Sequence, residues 1–579
     1  MKRRFGLFAA VGVAALLLTP GTAYAQPDAE TTVGSPSSPF SQNKQNEPAV
    51  AINPIAPNVL VAGANDNIDL EACNAGTNNT CPFTPGIGVT GVSFSFDGGA
   101  SWVQPTYSGL SARNCLGSPD PAVVDDTCTP QVGPIGTLPN YFENGLVSNG
   151  DPAAVFGPQP SAGGGFSWDN GARLYFANIA TKVPGTPEGF RGPAAIAVSH
   201  TDEVVAAAAG NNDAWSDPVI ATRQSTTTFS DKEFIYADNA ESSQFFGNVY
   251  VCNIAFRSTS GPSEPLMVAT SSDGGNTWRQ RQITGSANGG GAGRSGGRQG
   301  CTLRTDADGV LYVFWNSSLN GQVAQFMSRS FDGGHNFERG RPVANVTEVG
   351  AFDAVSGRFT FDGVAGARTD SFPSVDLANG APTGGGPGTI AMTWSDAGLG
   401  LNNERALVTV SVDGGTTWSS PVVGSEGTDR PDFPALAVSP DGTDVYLTYE
   451  AFLDPFRLTT SETRRQQGVV RHAEFDPVTG ALGPFTTLHR AAIGDARGSS
   501  ANGLTSEFLG DYNYAWATND GAATVWTDVR DAAVCDAINA YRQALVDGAA
   551  ATAPNVQQQC PPTFGNTDIF SFAATDPTP

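Results

Sequence analysis

The chain has 579 residues and a formal net charge of −25, with 15% charged residues, 69 Gly and 40 Pro. A hydrophobic fraction of 40% is enough to build a packed core, which excludes wholesale disorder. Because nucleic acids and anionic membrane surfaces attract basic proteins, the acidic charge argues against both as partners.

The first 25 residues have the features of a secretory signal peptide. A basic cluster at 2–4 precedes an apolar run at 5–18, and the triplet Ala-Tyr-Ala at 23–25 matches a cleavage site. The apolar run is too short to span a bilayer comfortably. We therefore expect the mature chain to begin near Gln26 and the protein to be secreted.

A two-strand pattern then recurs seven times along the chain. Most units open with a short strand led by an acidic residue, and each continues through a turn into a strongly apolar strand. The units open near Glu47, Asp151, Glu233, Cys301, Asp370, Asp432 and Glu507. The apolar strands are predicted at 59–63, 174–180, 249–256, 311–315, 390–394, 445–449 and 523–526.

The units differ in how they end. Three keep a plain third strand, at 195–199, 469–473 and 569–573, and the other four carry an octamer of the form S-x-D-G-G-x-[S/T/N]-[W/F]. The octamer acids are Asp97, Asp273, Asp332 and Asp413. Glycines that accept positive φ, and an Asp that accepts hydrogen bonds from its own turn, are typical of a hairpin. We interpret these four acids as structural.

The octamers resemble the Asp-box of the sialidase-like (BNR-repeat) β-propellers. The resemblance implies an all-β fold in which four-stranded antiparallel blades stack radially around a funnel. Seven units predict seven blades, and six, as in the sialidases themselves, is the alternative if one unit is an insertion. Residues 46–579 would form a single propeller, and the segment 26–45 could add an outer strand to the last blade and close the ring.

Three insertions interrupt the repeat, at 66–90, 111–148 and 535–560. The last contains a helix predicted at 536–546. Insertions in propellers map to loops on one rim. The sequence leaves open whether they shape a binding pocket or only cap a blade edge.

The eight cysteines predict four disulfides in an oxidising compartment. Spacing pairs Cys73 with Cys81, Cys115 with Cys128 and Cys535 with Cys560, which leaves Cys252 for Cys301. A zinc site is the alternative, but the chain has no CxxC pair and only four His.

Function in a propeller is expected at the central funnel, where the innermost strands begin. Glycoside hydrolysis needs two carboxyl groups, or a Tyr nucleophile beside a Glu in sialidase-type sites, with a proton donor. The candidate catalytic residues are Asp151, Asp231, Glu233, Glu507, Asp511 and Tyr512. The candidate substrate-binding residues are Glu47, Arg298, Arg304, Arg368, Asp370, Arg430 and Asp432. The same acids could instead satisfy backbone donors where strands begin.

The resemblance implies a protein that acts on glycans, as an exo-acting glycoside hydrolase of the sialidase type. The R-I-P triplet that opens the first blade of sialidases reads Asn46-Glu47-Pro48 here, so its arginine is absent. A non-catalytic propeller that binds a glycan or a protein is the alternative. We expect a monomer whose partner is a glycan or glycoconjugate.

No cofactor and no metal site are predicted. The stretch Asp306-Ala-Asp308-Gly309 could suggest calcium, but it lacks the rest of a calcium-binding loop and is better explained as a hairpin turn. The four histidines, at 200, 335, 472 and 489, occur in unlike contexts.

Overall fold

Seven small antiparallel sheets follow one another along the chain and close into a ring, which makes the protein a seven-bladed β-propeller. The first long strand of each sheet contacts its counterparts in the two neighbouring sheets, and these seven strands surround a central channel. The prediction of seven blades is confirmed, and the six-bladed alternative is wrong. The computed structural model describes residues 27–73, 81, 83–118, 120, 128–186, 189–257, 264–285, 299–319 and 321–578. The predicted signal peptide at 1–25 lies outside this range.

The strands of the first three blades follow one another in chain order. A short strand, β1 (Ala29–Glu30), precedes blade 1, which contains β2 (Gln45–Ile52), β3 (Leu60–Asp66) and β4 (Thr90–Ser95). A separate hairpin of β5 (Tyr107–Ser111) and β6 (Gln131–Ile135) follows. Blade 2 contains β7 (Leu146–Ser148), β8 (Ala153–Pro160), β9 (Phe166–Lys182), β10 (Ala195–Thr201) and β11 (Val219–Ile220). Blade 3 contains β12 (Phe229–Ala237), β13 (Val249–Phe256), β14 (Leu266–Ser271) and β15 (Arg279–Gln282).

The remaining blades complete the ring. Blade 4 contains β16 (Gln299–Thr305), β17 (Leu311–Leu319), β18 (Gln322–Ser330) and β19 (Arg341–Asn345), and a hairpin of β20 (Ala351–Asp353) and β21 (Arg358–Thr360) follows. Blade 5 contains β22 (Ser374–Leu377), β23 (Ile390–Asp396), β24 (Arg405–Ser411) and β25 (Val422–Val423). Blade 6 contains β26 (Arg430–Val438), β27 (Asp444–Phe452), β28 (Arg465–Asp476), β29 (Ala481–Leu482), β30 (Thr486–Arg490) and β31 (Gly494–Asp495). Blade 7 contains β32 (Tyr514–Thr518), β33 (Gly521–Asp528) and β34 (Asp568–Thr575), with β1 at its outer edge.

The hydrophobic core lies between neighbouring blades. Each second strand reads as an apolar run because both of its faces are covered, as in β13, where seven of the eight residues are buried. Blade 1 packs on blade 7 in the same way, through Val50 and Ile52 on one side and Val525 and Ile569 on the other. Radial packing of this kind buries surface that no single blade could bury alone.

The two ends of the chain meet in blade 7. The strand β1 pairs antiparallel with β34, with Ala29 opposite Ser571 and Glu30 opposite Phe570. The indole nitrogen of Trp102, from the first octamer, donates a hydrogen bond of 2.9 Å to the hydroxyl of Ser571. An N-terminal strand therefore completes the last blade, and blade 1 is fastened to it.

Each octamer forms the hairpin after the third main strand of its blade. In the second copy, Asp273 accepts hydrogen bonds from the backbone N–H and the hydroxyl of Thr277, at 2.9 and 2.6 Å. Gly274 and Gly275 have φ values of 75° and 90°, which only glycine adopts at low cost. The carboxylate of Asp332 is used in the same way by Asn336, and this hydrogen bonding lowers its pKa to about 2. The octamers have the geometry of self-contained turns.

The turn at 306–309 is also a hairpin turn. The carboxylate of Asp306 accepts hydrogen bonds from the backbone N–H groups of Asp308 and Val310, at 3.0 and 2.9 Å. The hydroxyl of Tyr312 occupies the other oxygen at 3.0 Å. The carboxylate of Asp306, which suggested calcium, is therefore occupied by hydrogen bonds within its own hairpin.

All four disulfides form as predicted: Cys73–Cys81, Cys115–Cys128, Cys252–Cys301 and Cys535–Cys560. The alternative of a cysteine zinc site is wrong. The bridge between Cys252 and Cys301 joins blade 3 to blade 4.

The helix predicted at 536–546 is present with those bounds, as α2 (Asp536–Val546). Two short helices, α1 (Val204–Ala208) and α3 (Val556–Gln559), are additional. In α2, Ile538 packs against Phe40 and Phe564, and Arg542 is bound by backbone carbonyls of the loop 499–506. None of the helices in the described part of the chain is long and apolar enough to cross a membrane.

Candidate functional site

A bulge recurs where the innermost strands enter the channel. Pairing slips by one residue in β2, β12, β16 and β26. Positive φ values occur at Glu47 (53°), Asp151 (52°), Lys232 (56°), Gly300 (56°) and Phe433 (46°). For residues other than glycine this backbone costs about 1–3 kcal/mol and persists only where the surroundings impose it. Bulges turn a side chain away from the regular alternation. The charged residues Glu47 and Lys232 lie in such bulges, and Asp151 has the same positive φ just before β8.

The charged side chains meet around Asp511. Arg368 donates two hydrogen bonds to this carboxylate, at 2.5 and 2.6 Å, and a third, at 3.3 Å, to Glu47. The ammonium of Lys232 bonds to the same carboxylate and lies 3.6 Å from an oxygen of Asp151. We call Glu47, Asp151, Lys232, Arg368 and Asp511 the funnel network; its members come from five separate segments of the chain.

Asn65 holds two members of the funnel network in place. Its amide nitrogen donates to the carboxylate of Glu47, and its amide oxygen accepts a hydrogen bond of 2.7 Å from the backbone N–H of Asp151. Asn65 lies near the end of β3, so the second strand of blade 1 positions acids at the start of blades 1 and 2.

The acids of the funnel differ in their protonation. The two cations hold the pKa of Asp511 well below its usual range, despite burial, so this carboxyl is ionised. Burial raises the pKa of Asp231 to about 6, with a contribution from the neighbouring Asp151 and against the opposing effect of Lys232. Burial, with the negative charge of Asp511, raises the pKa of Asp370 to about 7. No described residue donates a hydrogen bond to the carboxyl of Asp370.

Glu233 and Tyr512 lie deeper. Glu233 is 5% exposed, and neither of its carboxyl oxygens has a hydrogen-bond partner among the described residues. Burial, together with the charge of Asp151, raises the pKa of Glu233 well above its usual range. Burial and the carboxylates of Asp151 and Glu47 raise the pKa of Tyr512, which keeps it a neutral phenol.

Two cavities follow one another along the channel. The wider one, of about 630 Å³, is the funnel mouth, and Asp151, Asp231, Asp370 and Asp511 line it together with aromatic rings. The rings are Phe229 and Phe256 of blade 3 and Phe359 of the β20–β21 hairpin. The narrower cavity, of about 70 Å³, continues inward past Glu233, Asp370 and Tyr512. Lys232, Asp370 and Asp511 line both cavities.

Four other predicted site residues also do not line the funnel mouth. Arg304 lines the inner cavity but is bound to Asp376 at 2.6 Å and lies over Phe234, 4.8 Å from the ring centre. Arg430 is paired with Glu404 at 2.9 Å, away from both cavities.

Glu507 is 2% exposed and paired with Arg464 at 2.7 Å, and Asp432 is fully buried against the hydroxyl of Thr369. These two acids, like Arg430, fasten loops to blades and do not line the funnel. Arg298 lies outside the described residues.

Sequence reasoning missed Lys232 and the aromatic rings of the mouth. The chain has only four lysines. One of them stands between two acids at the start of an inner strand, and that position was a usable signal. No pattern marks Phe359, because the hairpin that carries it lies outside the repeat. None of the described residues at 66–90, 111–148 or 535–560 lines the mouth.

The arrangement can move a proton near neutral pH. It combines a fixed carboxylate, two carboxyl groups with pKa values near 6 and 7, and aromatic walls. Groups whose environments separate their pKa values are the usual acid and base of an active site.

No protein-family model and no curated protein match the chain. Among solved structures, the chain is similar to the Hadza microbial sialidase Hz136, with 13% identity over 70% of this chain and 63% of that one and a TM-score of 0.37. An intramolecular trans-sialidase from Ruminococcus gnavus has 13% identity, over 72% of this chain and 93% of that one, with a TM-score of 0.38. The α-L-arabinofuranosidase Arb93A from Fusarium graminearum has 11% identity, over 72% and 92%, with a TM-score of 0.37. Similarity of this degree assigns neither an activity nor a residue role to this chain.

Proposed function

We propose that the funnel mouth is the active site of a glycoside hydrolase whose substrate is an uncharged glycan. The proposal rests on a difference in protonation between Asp370 and Asp511. Asp370 has a pKa near 7 and no hydrogen-bond partner among the described residues, and it lines one cavity with the ionised Asp511 and the Asp151–Asp231 pair. Glycoside hydrolysis requires a protonated carboxyl and a carboxylate on either side of the scissile bond.

The roles follow from the partners of each group. Asp370 donates its proton to the glycosidic oxygen, because no described residue competes for it. The Asp151–Asp231 pair enters from blades 2 and 3, whereas Asp370 precedes β22 of blade 5, and the pair supplies the base or nucleophile. Asp511 is held by both cations and acts as a positioning residue. Tyr512 lines the inner cavity and not the mouth, so we assign it no contact with the sugar.

The charge of the mouth favours an uncharged sugar over a sialic acid. Its described lining carries four acids and the cations Lys232, Arg358 and Arg368. Two of these cations already bind Asp511. A sialic acid carboxylate needs several free guanidinium groups. Among the described lining residues, Arg358 is the one arginine without an ion pair, and Arg304 and Arg430 are paired elsewhere. The exposed faces of Phe229 and Phe359 offer apolar surface for the carbon face of a sugar ring.

The test is release of the aryl group from a panel of chromogenic glycosides that includes neutral pyranosides, neutral furanosides and a sialoside. We expect turnover of at least one neutral glycoside and none of the sialoside. D370N should lower turnover most on the glycosides of the panel whose leaving group needs protonation. The exposed turn variant D308N is the matched control and should keep the turnover of the wild type.

A propeller that binds a glycan without catalysis is the second candidate. It is favoured because other side chains already occupy the carboxylates of Asp511 and Glu47. Two cations occupy the carboxylate of Asp511, and Asn65 with Arg368 occupies that of Glu47. A glycan array separates the two candidates. Glycan binding without turnover of any glycoside would support the binding propeller and overturn the hydrolase.

A further inference from the structure

A second cluster of ligand-type side chains lies outside both funnel cavities, where blade 6 meets the end of blade 7. Asp444 begins β27, His472 lies in β28, and Asp576 directly follows β34. One ligand atom from each of the three lies within 4.8 Å of those of the other two. We propose that this cluster is a binding site for a divalent transition-metal ion, with Zn²⁺ as the preferred ion.

Strand geometry brings the first two groups together. Tyr446 and His472 are directly opposite one another in the antiparallel pair β27–β28. Side chains two positions apart on a strand share a face, so Asp444 lies on the same face as Tyr446. An oxygen of Asp444 is 2.7 Å from Nε2 of His472, and both side chains are 4% exposed. The position is fixed by regular sheet structure and not by a loop.

Asp576 reaches the cluster from the neighbouring blade. Its backbone N–H donates a hydrogen bond of 2.8 Å to the carbonyl of Asp520, which places the chain beyond β34 against the turn between β32 and β33. Its carboxylate accepts a hydrogen bond of 2.7 Å from the backbone N–H of Thr578. A metal ion bound here would join the outer part of blade 6 to the end of the chain.

A buried hydroxyl without a partner points to a missing ligand. Tyr446 is fully buried, its ring lies 5.0 Å from the imidazole of His472, and its hydroxyl oxygen has no hydrogen-bond partner among the described residues. The carboxylates of Asp444 and Asp576 are close enough to act electrostatically on this oxygen. Buried polar atoms are nearly always satisfied, so an orphan needs an explanation. A bound ion or its water would provide the partner.

The local charge also favours a cation. Asp444, Asp576 and the exposed Asp441 all act electrostatically on Tyr446, and among the described residues none of these three acids forms an ion pair with Lys or Arg. Within the described part of the chain, His472 is the basic residue that contacts Asp444. Buried carboxylates are tolerated when they are paired or coordinate a metal.

The ligand set selects the ion. Ca²⁺ and Mg²⁺ prefer oxygen ligands alone, whereas imidazole nitrogen with carboxylate oxygen suits Zn²⁺ and its transition-metal neighbours. Three protein ligands from His472, Asp444 and Asp576 leave a fourth tetrahedral position for water or for Tyr446.

The experiment uses untagged full-length protein, because a histidine tag would itself bind zinc. The protein is stripped with a chelator, dialysed against Zn²⁺ and analysed by elemental mass spectrometry, and its Tm is measured with and without Zn²⁺. We expect about one zinc per chain and a Tm that rises with Zn²⁺ because the ion binds the folded state. The same titration with Ca²⁺ should leave the Tm unchanged.

The variants locate the site. H472Q can keep a hydrogen bond to Asp444 but removes the imidazole, and D576N changes a residue near the end of the chain. Both should lose at least tenfold in zinc affinity. H335Q alters an exposed histidine of an octamer turn and should bind as the wild type does.

Three results would overturn the proposal: no stoichiometric zinc in the wild type, equal zinc in H472Q and D576N, or a Tm that responds to Ca²⁺ and not to Zn²⁺. If H472Q fails to fold, D576N alone decides the matter.

Discussion

Replacement of Asp370 by Asn should remove one defined part of the pH dependence of stability. The folded protein holds the Asp370 proton up to a pKa of about 7, whereas the ordinary value is 3.8. Between those two values the folded state binds more protons than the unfolded state, so the free energy of unfolding falls as the pH rises. The stabilisation is complete below pH 4 and is lost as the pH passes through 7.

The difference between a pKa of 3.8 and one of about 7 corresponds to about 4 kcal/mol at 1.36 kcal/mol per pKa unit. The side chain is partly exposed to the water of the mouth, which reduces this contribution to about 2 kcal/mol. Asparagine cannot ionise. When the pH rises from 4.5 to 8, the free energy of unfolding of D370N should therefore fall by about 2 kcal/mol less than that of the wild type.

The assay is urea denaturation followed by tryptophan fluorescence at several pH values between these limits, with disulfides intact. D308N, which changes an exposed turn acid, is the control and should follow the wild type. If D370N and D308N lose the same stability over this range, Asp370 does not keep its proton in the folded state, and its role as proton donor fails with it.

Three further predictions concern the charged funnel, the blade contacts and the turns. K232M removes one cation from the buried funnel network and should cost about 3–5 kcal/mol in urea denaturation, whereas K182M, outside the funnel, should cost less than about 1 kcal/mol. Replacing Cys252 and Cys301 together by Ser opens a loop with a sequence separation of 49 and should lower the unfolding free energy by about 2–4 kcal/mol; an unchanged Tm would contradict this. D413N weakens the hydrogen bonds of an exposed turn and should lower the free energy of unfolding by about 1 kcal/mol, with no change in glycoside turnover. A loss of turnover at unchanged stability would show that the octamer is not merely structural.

The fold was predictable because the same pattern of strands and hairpin octamers recurs along the chain, although each copy alone is a weak indication. One hairpin octamer is ambiguous, but four copies with alternating strands before them specify a blade. The second strands were recognisable because both of their faces are buried, which leaves apolar runs such as 249–256. The β20–β21 hairpin, by contrast, occurs once and is exposed at Phe352 and Phe359. No periodicity marked it.

The site was predictable only in part. Acids at the starts of inner strands were found because the repeat places them there. Their partners were not, because Lys232 and Arg368 meet Asp511 across 279 and 143 residues of sequence. The sequence also did not show that Asp511 lines the funnel whereas Glu507, four positions earlier, does not. Glu507 is bound by Arg464, a partner that only the folded chain brings near.

The central claim is that Asp370 protonates a leaving group at the funnel mouth, and dependence on that leaving group tests it most directly. The measurement compares kcat/KM of wild type and D370N on two glycosides of one sugar, one with a 2,4-dinitrophenyl leaving group and one with an alkyl leaving group. A dinitrophenolate leaves without protonation, so D370N should stay within about tenfold of the wild type on that substrate and lose about 10²–10⁴-fold on the alkyl glycoside. Equal losses on both substrates, or no loss on either, would contradict the account.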